Sequence, residues 1–154
     1  MPSQDSPKII GIPIFSAYLS ADQTGVVSGT PTKVHLDTVD IDTHSFFDNV
    51  TNFRFQPTVA GYYEFYGVVS VDDIDDGDYV IAYLYKNGAE HTGRVNLSPA
   101  ANQVPGATVM NIILMNGSTD YVELYGLHNQ GSNQAFDGVS DRKCMLTAKL
   151  LARV

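Results

Sequence analysis

The feature that most constrains this chain is a period of two. Along residues 144–154, Cys144, Leu146, Ala148, Leu150, Ala152 and Val154 fall on one side. Met145, Thr147, Lys149, Leu151 and Arg153 fall on the other. Successive side chains of a strand point to opposite faces, so this segment is a strand with one apolar face. A slip of one residue would turn Lys149 and Arg153 inward, which fixes the register. Segment 62–71 alternates in the same way. Tyr63, Phe65, Val69 and Val71 share one face with Gly67, whereas Tyr62, Glu64, Tyr66, Val68 and Ser70 form a polar-aromatic face suited to partial cover. Helical spacing is nearly absent.

Read this way, the sequence predicts about ten short strands, near residues 15–19, 33–37, 45–48, 53–56, 61–71, 79–86, 93–97, 108–115, 121–127 and 144–154. Turn chemistry separates them. Lys86-Asn87-Gly88 is a hairpin turn, because Asn and Gly tolerate positive φ. Asn116-Gly117-Ser118 is a second turn, and residues 129–133 and 97–106 are longer polar or proline-bearing loops. Many short strands without helices predict an antiparallel sandwich or jelly roll.

Two segments are apolar on both faces, 79–85 and 109–115. In an antiparallel sandwich one face of a strand ordinarily meets water. An apolar outer face therefore predicts further cover, by a neighbouring subunit or by long loops. The residues expected to face a sister subunit are Tyr79, Ile81, Tyr83 and Tyr85 on the first segment, and Met110, Ile112 and Leu114 on the second.

The 154 residues suffice for one domain with a real core. A formal net charge of −8 repels phosphate backbones and excludes nucleic-acid binding as an expectation. No apolar run is long enough to cross a bilayer as a helix, so no membrane insertion is expected. The lone Cys144 cannot form an intrachain disulfide and reads as a small buried hydrophobe. The start of the chain carries no basic-then-apolar leader, which predicts synthesis in a cytoplasm. Residues 1–14 read as an arm. Its apolar positions Ile9, Ile10, Ile12 and Ile14 are interrupted by Gly11 and Pro13, so they suit docking on a partner rather than a core strand.

The order of several segments resembles a known family. Phe15-Ser16-Ala17-Tyr18-Leu19 comes first, then Phe46-Phe47-Asp48-Asn49 with Phe53-Arg54-Phe55-Gln56-Pro57. Ala60-Gly61-Tyr62-Tyr63-Glu64-Phe65, Leu84-Tyr85-Lys86-Asn87-Gly88 and Asp120-Tyr121-Val122-Glu123-Leu124 follow. In this order they resemble the strands of C1q/TNF-like domains. The resemblance implies a ten-stranded antiparallel jelly-roll sandwich over residues 15–154. It also implies a homotrimer that binds partners through loops and outer faces. The collagen-like stalk of many such proteins is missing from this sequence, and the loops are similar in style to those of phage proteins.

Candidate sites for chemistry are few. Asp72, Asp73, Asp75, Asp76 and Asp78 crowd one turn and could supply oxygens to Ca²⁺, although helices and a Glu at the twelfth loop position are missing; a solvated acidic turn is the plainer reading. Asp37, Asp40, Asp42 and Asp48 with His35 and His44 form a weaker acidic run. His91 and His128 lie beside turns and read as surface residues. No Gly-x-Ser-x-Gly elbow or phosphate-binding Gly-rich loop occurs, so the chain is expected to be no enzyme and to need no cofactor beyond that Ca²⁺.

The expectation is a non-enzymatic homotrimer on a virion surface, made in the host cytoplasm. It would be a capsid decoration or cement protein that docks through its arm. Its partners would be its own copies and viral capsid or tail proteins. One alternative is a receptor- or glycan-binding head of a viral fibre or adhesin, meeting a cell-surface glycan or protein through loops such as 129–133. Another is a secreted C1q-like recognition protein, which would be extracellular.

Overall fold

A computed structural model describes residues 11–138 and 141–154. Among them the chain forms thirteen strands and no helix. They are β1 (Ile14–Tyr18), β2 (Gln23–Val26), β3 (Thr32–Lys33), β4 (Thr38–Asp42), β5 (Phe47–Asp48), β6 (Arg54–Phe55) and β7 (Gly61–Ser70). β8 (Tyr79–Lys86), β9 (Ala89–Leu97), β10 (Gly106–Met115), β11 (Val122–His128), β12 (Gln134–Phe136) and β13 (Met145–Arg153) follow.

Two sheets make the sandwich. The first has the order β10-β7-β13-β1-β4. The second runs β5-β6-β11-β8-β9, with β3 also paired to β11. β12 and β2 form a small third sheet. All pairings are antiparallel. Three of these strands, β2, β4 and β12, go beyond the ten expected. Gln23-Thr24-Gly25-Val26 and Gln134-Ala135-Phe136 carry too little alternation to be read as strands alone, and they are strands because each pairs the other. The 33–37 strand shrinks to Thr32–Lys33, which pairs with β11, and a separate strand at Thr38–Asp42 pairs with β1.

The core lies between the sheets and is fed by the predicted inward faces. Tyr63, Phe65, Val69, Leu146 and Cys144 are fully buried. Phe55 ties the sheets together, with its ring 5.2 Å from Phe15 and 5.6 Å, edge-on, from both Tyr63 and Phe65. Edge-to-face rings of this kind add to plain area burial. Burial pushes the Tyr63 hydroxyl up to about 12, and it donates to the Val59 carbonyl at 3.0 Å. Asn87 and Gly88 both take positive φ, 53° and 80°, as the β8–β9 hairpin requires. Gly61 is needed for a different reason than a turn. A Cβ there would stand 2.3 Å from the Ala152 carbonyl oxygen, so β7 and β13 approach too closely for any side chain.

Candidate interaction surfaces

The two segments that read as apolar on both faces lie on opposite sides of the sandwich. β10 is the edge strand of the first sheet, and β8 lies inside the second. Tyr79, Ile81, Tyr83 and Tyr85 therefore cannot join Met110, Ile112 and Leu114 in one patch.

On the first sheet, cross-strand partners share a face. Met110 stands opposite Tyr66, Ile112 opposite Glu64 and Leu114 opposite Tyr62. The outer side chains are open: Met110 is 60% exposed, Ile112 53% and Leu114 44%. With Tyr62 and Tyr66 they form an apolar ridge along β10 and β7. The same rows continue across the sheet. Tyr66 faces Thr147, Glu64 faces Lys149, and Lys149 faces Ile14. Lys149 and Glu64 form an ion pair of 2.7 Å beyond the ridge. The pair borders a hollow of about 290 Å³ lined by Ile14, Ser16, Ile41, Glu64, Tyr66 and Lys149, and Tyr66 belongs to both ridge and hollow. One face thus carries an apolar ridge at its edge and an apolar-lined hollow further in.

On the second sheet the outer rings are already engaged. Tyr85 stacks on Tyr125 with centroids 4.0 Å apart and 17° between planes, and Tyr83 meets Tyr85 edge-on. Tyr83 also lies over Gly93, where a Cβ would come within 2.6 Å of its ring. Lys33 pairs with the buried Glu123 beside Tyr125. Tyr83 and Tyr85 are half-buried as a result, and Tyr79 and Ile81 are half-buried as well. Burial, then the charge of Glu90, raises the Tyr83 and Tyr85 hydroxyls above their ordinary range. The open apolar groups here are on β9, where Val95 stands opposite Ile81 and Leu97 opposite Tyr79.

Of the expected docking arm, Ile9 and Ile10 lie outside the described residues. Ile12 is 65% exposed. Pro13 is buried, and its carbonyl accepts from the Leu150 amide at 3.1 Å. Ile14 opens β1 and pairs with Lys149, so it belongs to the sheet as much as to the arm.

The acidic turn does not gather its carboxylates. Asp72 turns toward Asp137 and Asp22, and burial with those neighbouring charges lifts its carboxyl to about 6. Asp73 has a left-handed φ of 53°. Asp75 accepts from Gln130 Nε2 at 2.8 Å, while its amide donates to Gln130 Oε1 at 2.7 Å. Asp76 is exposed, and the Asp78 carbonyl accepts from the Ser98 amide. Between them Ile74 is fully buried and pins the turn to the core. Among the described residues, no three His, Cys, Asp or Glu side chains converge as cation ligands. His35 stacks on Phe53 instead, and His44 contacts Thr43.

Cys144 is buried, its thiol is pushed up to about 12 by burial, and it bonds the Ser70 backbone; it is inert, as expected of a buried hydrophobe. His128 is a correction. It is fully buried rather than a surface residue. The signal was present: Val122, Leu124, Gly126 and His128 have one parity, and the first two are core residues. His128 Nε2 lies 3.0 Å from the Val26 carbonyl, and its Nδ1 accepts from the Gln130 amide at 3.3 Å.

No family model matches the chain, and no curated protein matches it in sequence. Solved structures do match in shape. The structure of Eiger TNF from S. frugiperda superposes with a TM-score of 0.63 at 12% identity, covering 93% of each chain. Murine APRIL at pH 5.0 superposes with a TM-score of 0.64 at 10% identity, covering 92% of this chain and 100% of that one. At such identity the likeness concerns the fold alone. With the observed sheet orders, it makes this chain an all-β antiparallel sandwich of the TNF-like jelly-roll fold.

Proposed function

We propose that the chain is a non-enzymatic display module that works as a homotrimer, assembled through the outer face of its first sheet. The observation that carries this reading is the open ridge of Met110, Ile112 and Leu114 with Tyr62 and Tyr66. An apolar surface of this kind, on strands whose other face fills the core, is costly to leave in water. Ridge and hollow adjoin on one face and share Tyr66, but one projects and the other recedes, so they are unlike surfaces. Contacts between unlike surfaces run head to tail and close as rings when the rotation permits. Three copies is the ring the C1q/TNF-like resemblance implies. Light scattering on the purified chain at micromolar concentration tests it. The expected mass is three times the 16.8 kDa chain. A single-chain mass overturns the proposal.

The setting we favour is the surface of a virus particle, as a capsid decoration protein, with Ile12 and the preceding Ile9 and Ile10 as its anchor. The support is the phage-like loop style and an apolar N-terminal segment that leads into exposed Ile12. Antibody labelling of purified particles from the source tests this, and unlabelled particles remove it. The likeness to Eiger TNF and murine APRIL favours a second reading, a receptor- or glycan-binding head. That reading keeps the same trimer and uses loop 129–133 as the contact. Ca²⁺ at the acidic turn is a minor arm of either reading, and a melting temperature unmoved by millimolar Ca²⁺ eliminates it.

A further inference from the structure

The loop after β11 is held by an unusual root. His128 is fully buried, and both ring nitrogens are used. Nε2 faces a carbonyl oxygen, Val26 O, which can only accept. Nδ1 faces the Gln130 N–H, which can only donate. A neutral imidazole carrying its proton on Nε2 satisfies both. A protonated imidazole has N–H on both nitrogens, so Nδ1–H would confront Gln130 N–H and a buried charge would appear.

What hangs on this root is a clasp. The Asn129 side-chain oxygen accepts from the Tyr79 amide at 2.6 Å, and Gln130 holds Asp75 through two bonds. The Gly131 amide donates to Ser28 Oγ at 2.9 Å. The Gly29 amide donates to the His128 carbonyl at 2.7 Å. Loop 129–133 thus bridges the acidic turn on one side and residues 26–29 on the other, from a segment that begins at His128.

We propose that His128 is an acid-sensitive latch: a neutral ring clasps loop 129–133 to the acidic turn, and protonation of the ring releases it. The charged group held to this loop is Asp75, through Gln130. At the root of the turn stand Asp72 with Asp137, Asp22 and Lys143. Release of Gln130 frees Asp75 alone, because Ile74 and the Ser98–Asp78 bond keep the rest of the turn on the core. The latch is built inside one chain and stands whether or not the trimer does. For a partner bound through this loop, it sets different contact surfaces at neutral and mildly acid pH.

The test is an NMR titration of the full chain from pH 7.5 to pH 5. Ring ¹⁵N shifts report the tautomer and protonation of His128, and hydrogen exchange, corrected for its intrinsic pH dependence, reports the amides. The expected result is an Nε2–H neutral ring at pH 7.5. As it protonates, the Asp75, Tyr79, Gln130 and Gly131 amides should exchange about ten- to hundredfold faster, the size expected for one lost buried hydrogen bond. The Phe65 amide should not change. His128→Gln removes the proton site, and its loop exchange should be flat with pH. Asp72→Asn should leave the release in place, which separates the latch from the carboxyls at the root of the turn. If His128→Gln fails to fold, the wild-type titration decides. A ring that stays neutral to pH 5, or one that protonates while the loop amides keep their protection, overturns the latch.

Discussion

β8 and β10 look alike as sequences and end differently as surfaces. Both are apolar on two faces, both send alternate residues into the core, and both were expected to meet a neighbour. β10 lies at the edge of its sheet, beside one partner, and its outer side chains stay open. β8 lies between β11 and β9, and its outer Tyr83 and Tyr85 are covered by Tyr125, Glu123 and the bare backbone of Gly93, while Tyr79 and Ile81 stand beside the open Leu97 and Val95 of β9. The difference teaches that an apolar outer face predicts a partner only when the strand's flanks leave it open. A central strand can bury the same residues against its own sheet.

The largest effect expected from this comparison is on assembly. Ile112→Lys with Leu114→Glu should convert the trimer to single chains at micromolar concentration, with the β-sheet circular dichroism kept. Each new charge would have to leave water at the contact, a desolvation cost of several kcal/mol even with Glu64 standing opposite residue 112. Tyr83→Ala should do the reverse: the mass stays that of a trimer, while the folded chain loses about 1–3 kcal/mol from the broken ring cluster. Sedimentation and urea unfolding on the two variants decide the matter. A monomeric Tyr83→Ala would return the interface to the second sheet.

Next in size is Gly93→Val. Its Cβ would collide with the Tyr83 ring, so Tyr83 must leave its place over the strand. The expected loss is about 1–2 kcal/mol, below or equal to that of Tyr83→Ala because the ring is displaced rather than deleted. In the Tyr83→Ala background, Gly93→Val should cost nothing further. A double-mutant cycle measures this, and additive losses would show that Gly93 serves something other than the ring.

A smaller and pH-dependent effect belongs to Asp72. Its folded carboxyl sits at about 6, above the ~3.9 of an unfolded chain. Between those values the folded chain holds a proton the unfolded chain lacks. The stability so contributed is complete below pH ~4 and is lost as the pH rises through 6. Asp72→Asn should therefore be more stable than wild type at pH 7.5, and the gap should narrow or reverse toward pH 4.5. Thermal unfolding of the pair across that range tests the sign. A gap that does not move with pH would place Asp72 in water.

These effects mark how far the sequence could be read. The alternation at 61–71, 79–86 and 144–154 located the strands that fill the core, because a buried face writes itself as a period of two. The short strands β2 and β12 left no such mark, since their pairing depends on each other and not on a core stripe. His128 was legible by parity and was read instead by its neighbours, Asn129 and Gln130, which are turn residues. The openness of β10 and the closure of β8 were not legible at all. Each depends on which strands flank it, and that is set by residues far away in the chain. The acidic turn looked like one feature and is three: Asp72 facing Asp137, Asp75 held by Gln130, and Ile74 driven into the core.

The smallest effect expected of a single chain is the most informative about the first sheet. Lys149 and Glu64 form a partly exposed pair, with Lys149 54% exposed and Glu64 30%. In an isolated chain such a pair contributes about 0–1 kcal/mol. In a ring of copies packed ridge to hollow, the same pair would lie at the contact and lose its water. Removing one partner would then strand a buried charge, at about 3–5 kcal/mol. Lys149→Met should therefore hardly change unfolding in the Ile112→Lys, Leu114→Glu background, and should weaken assembly clearly in the otherwise wild-type chain. Equal and small effects in both would mean that the hollow stays in water, and would restrict the contact to the ridge alone.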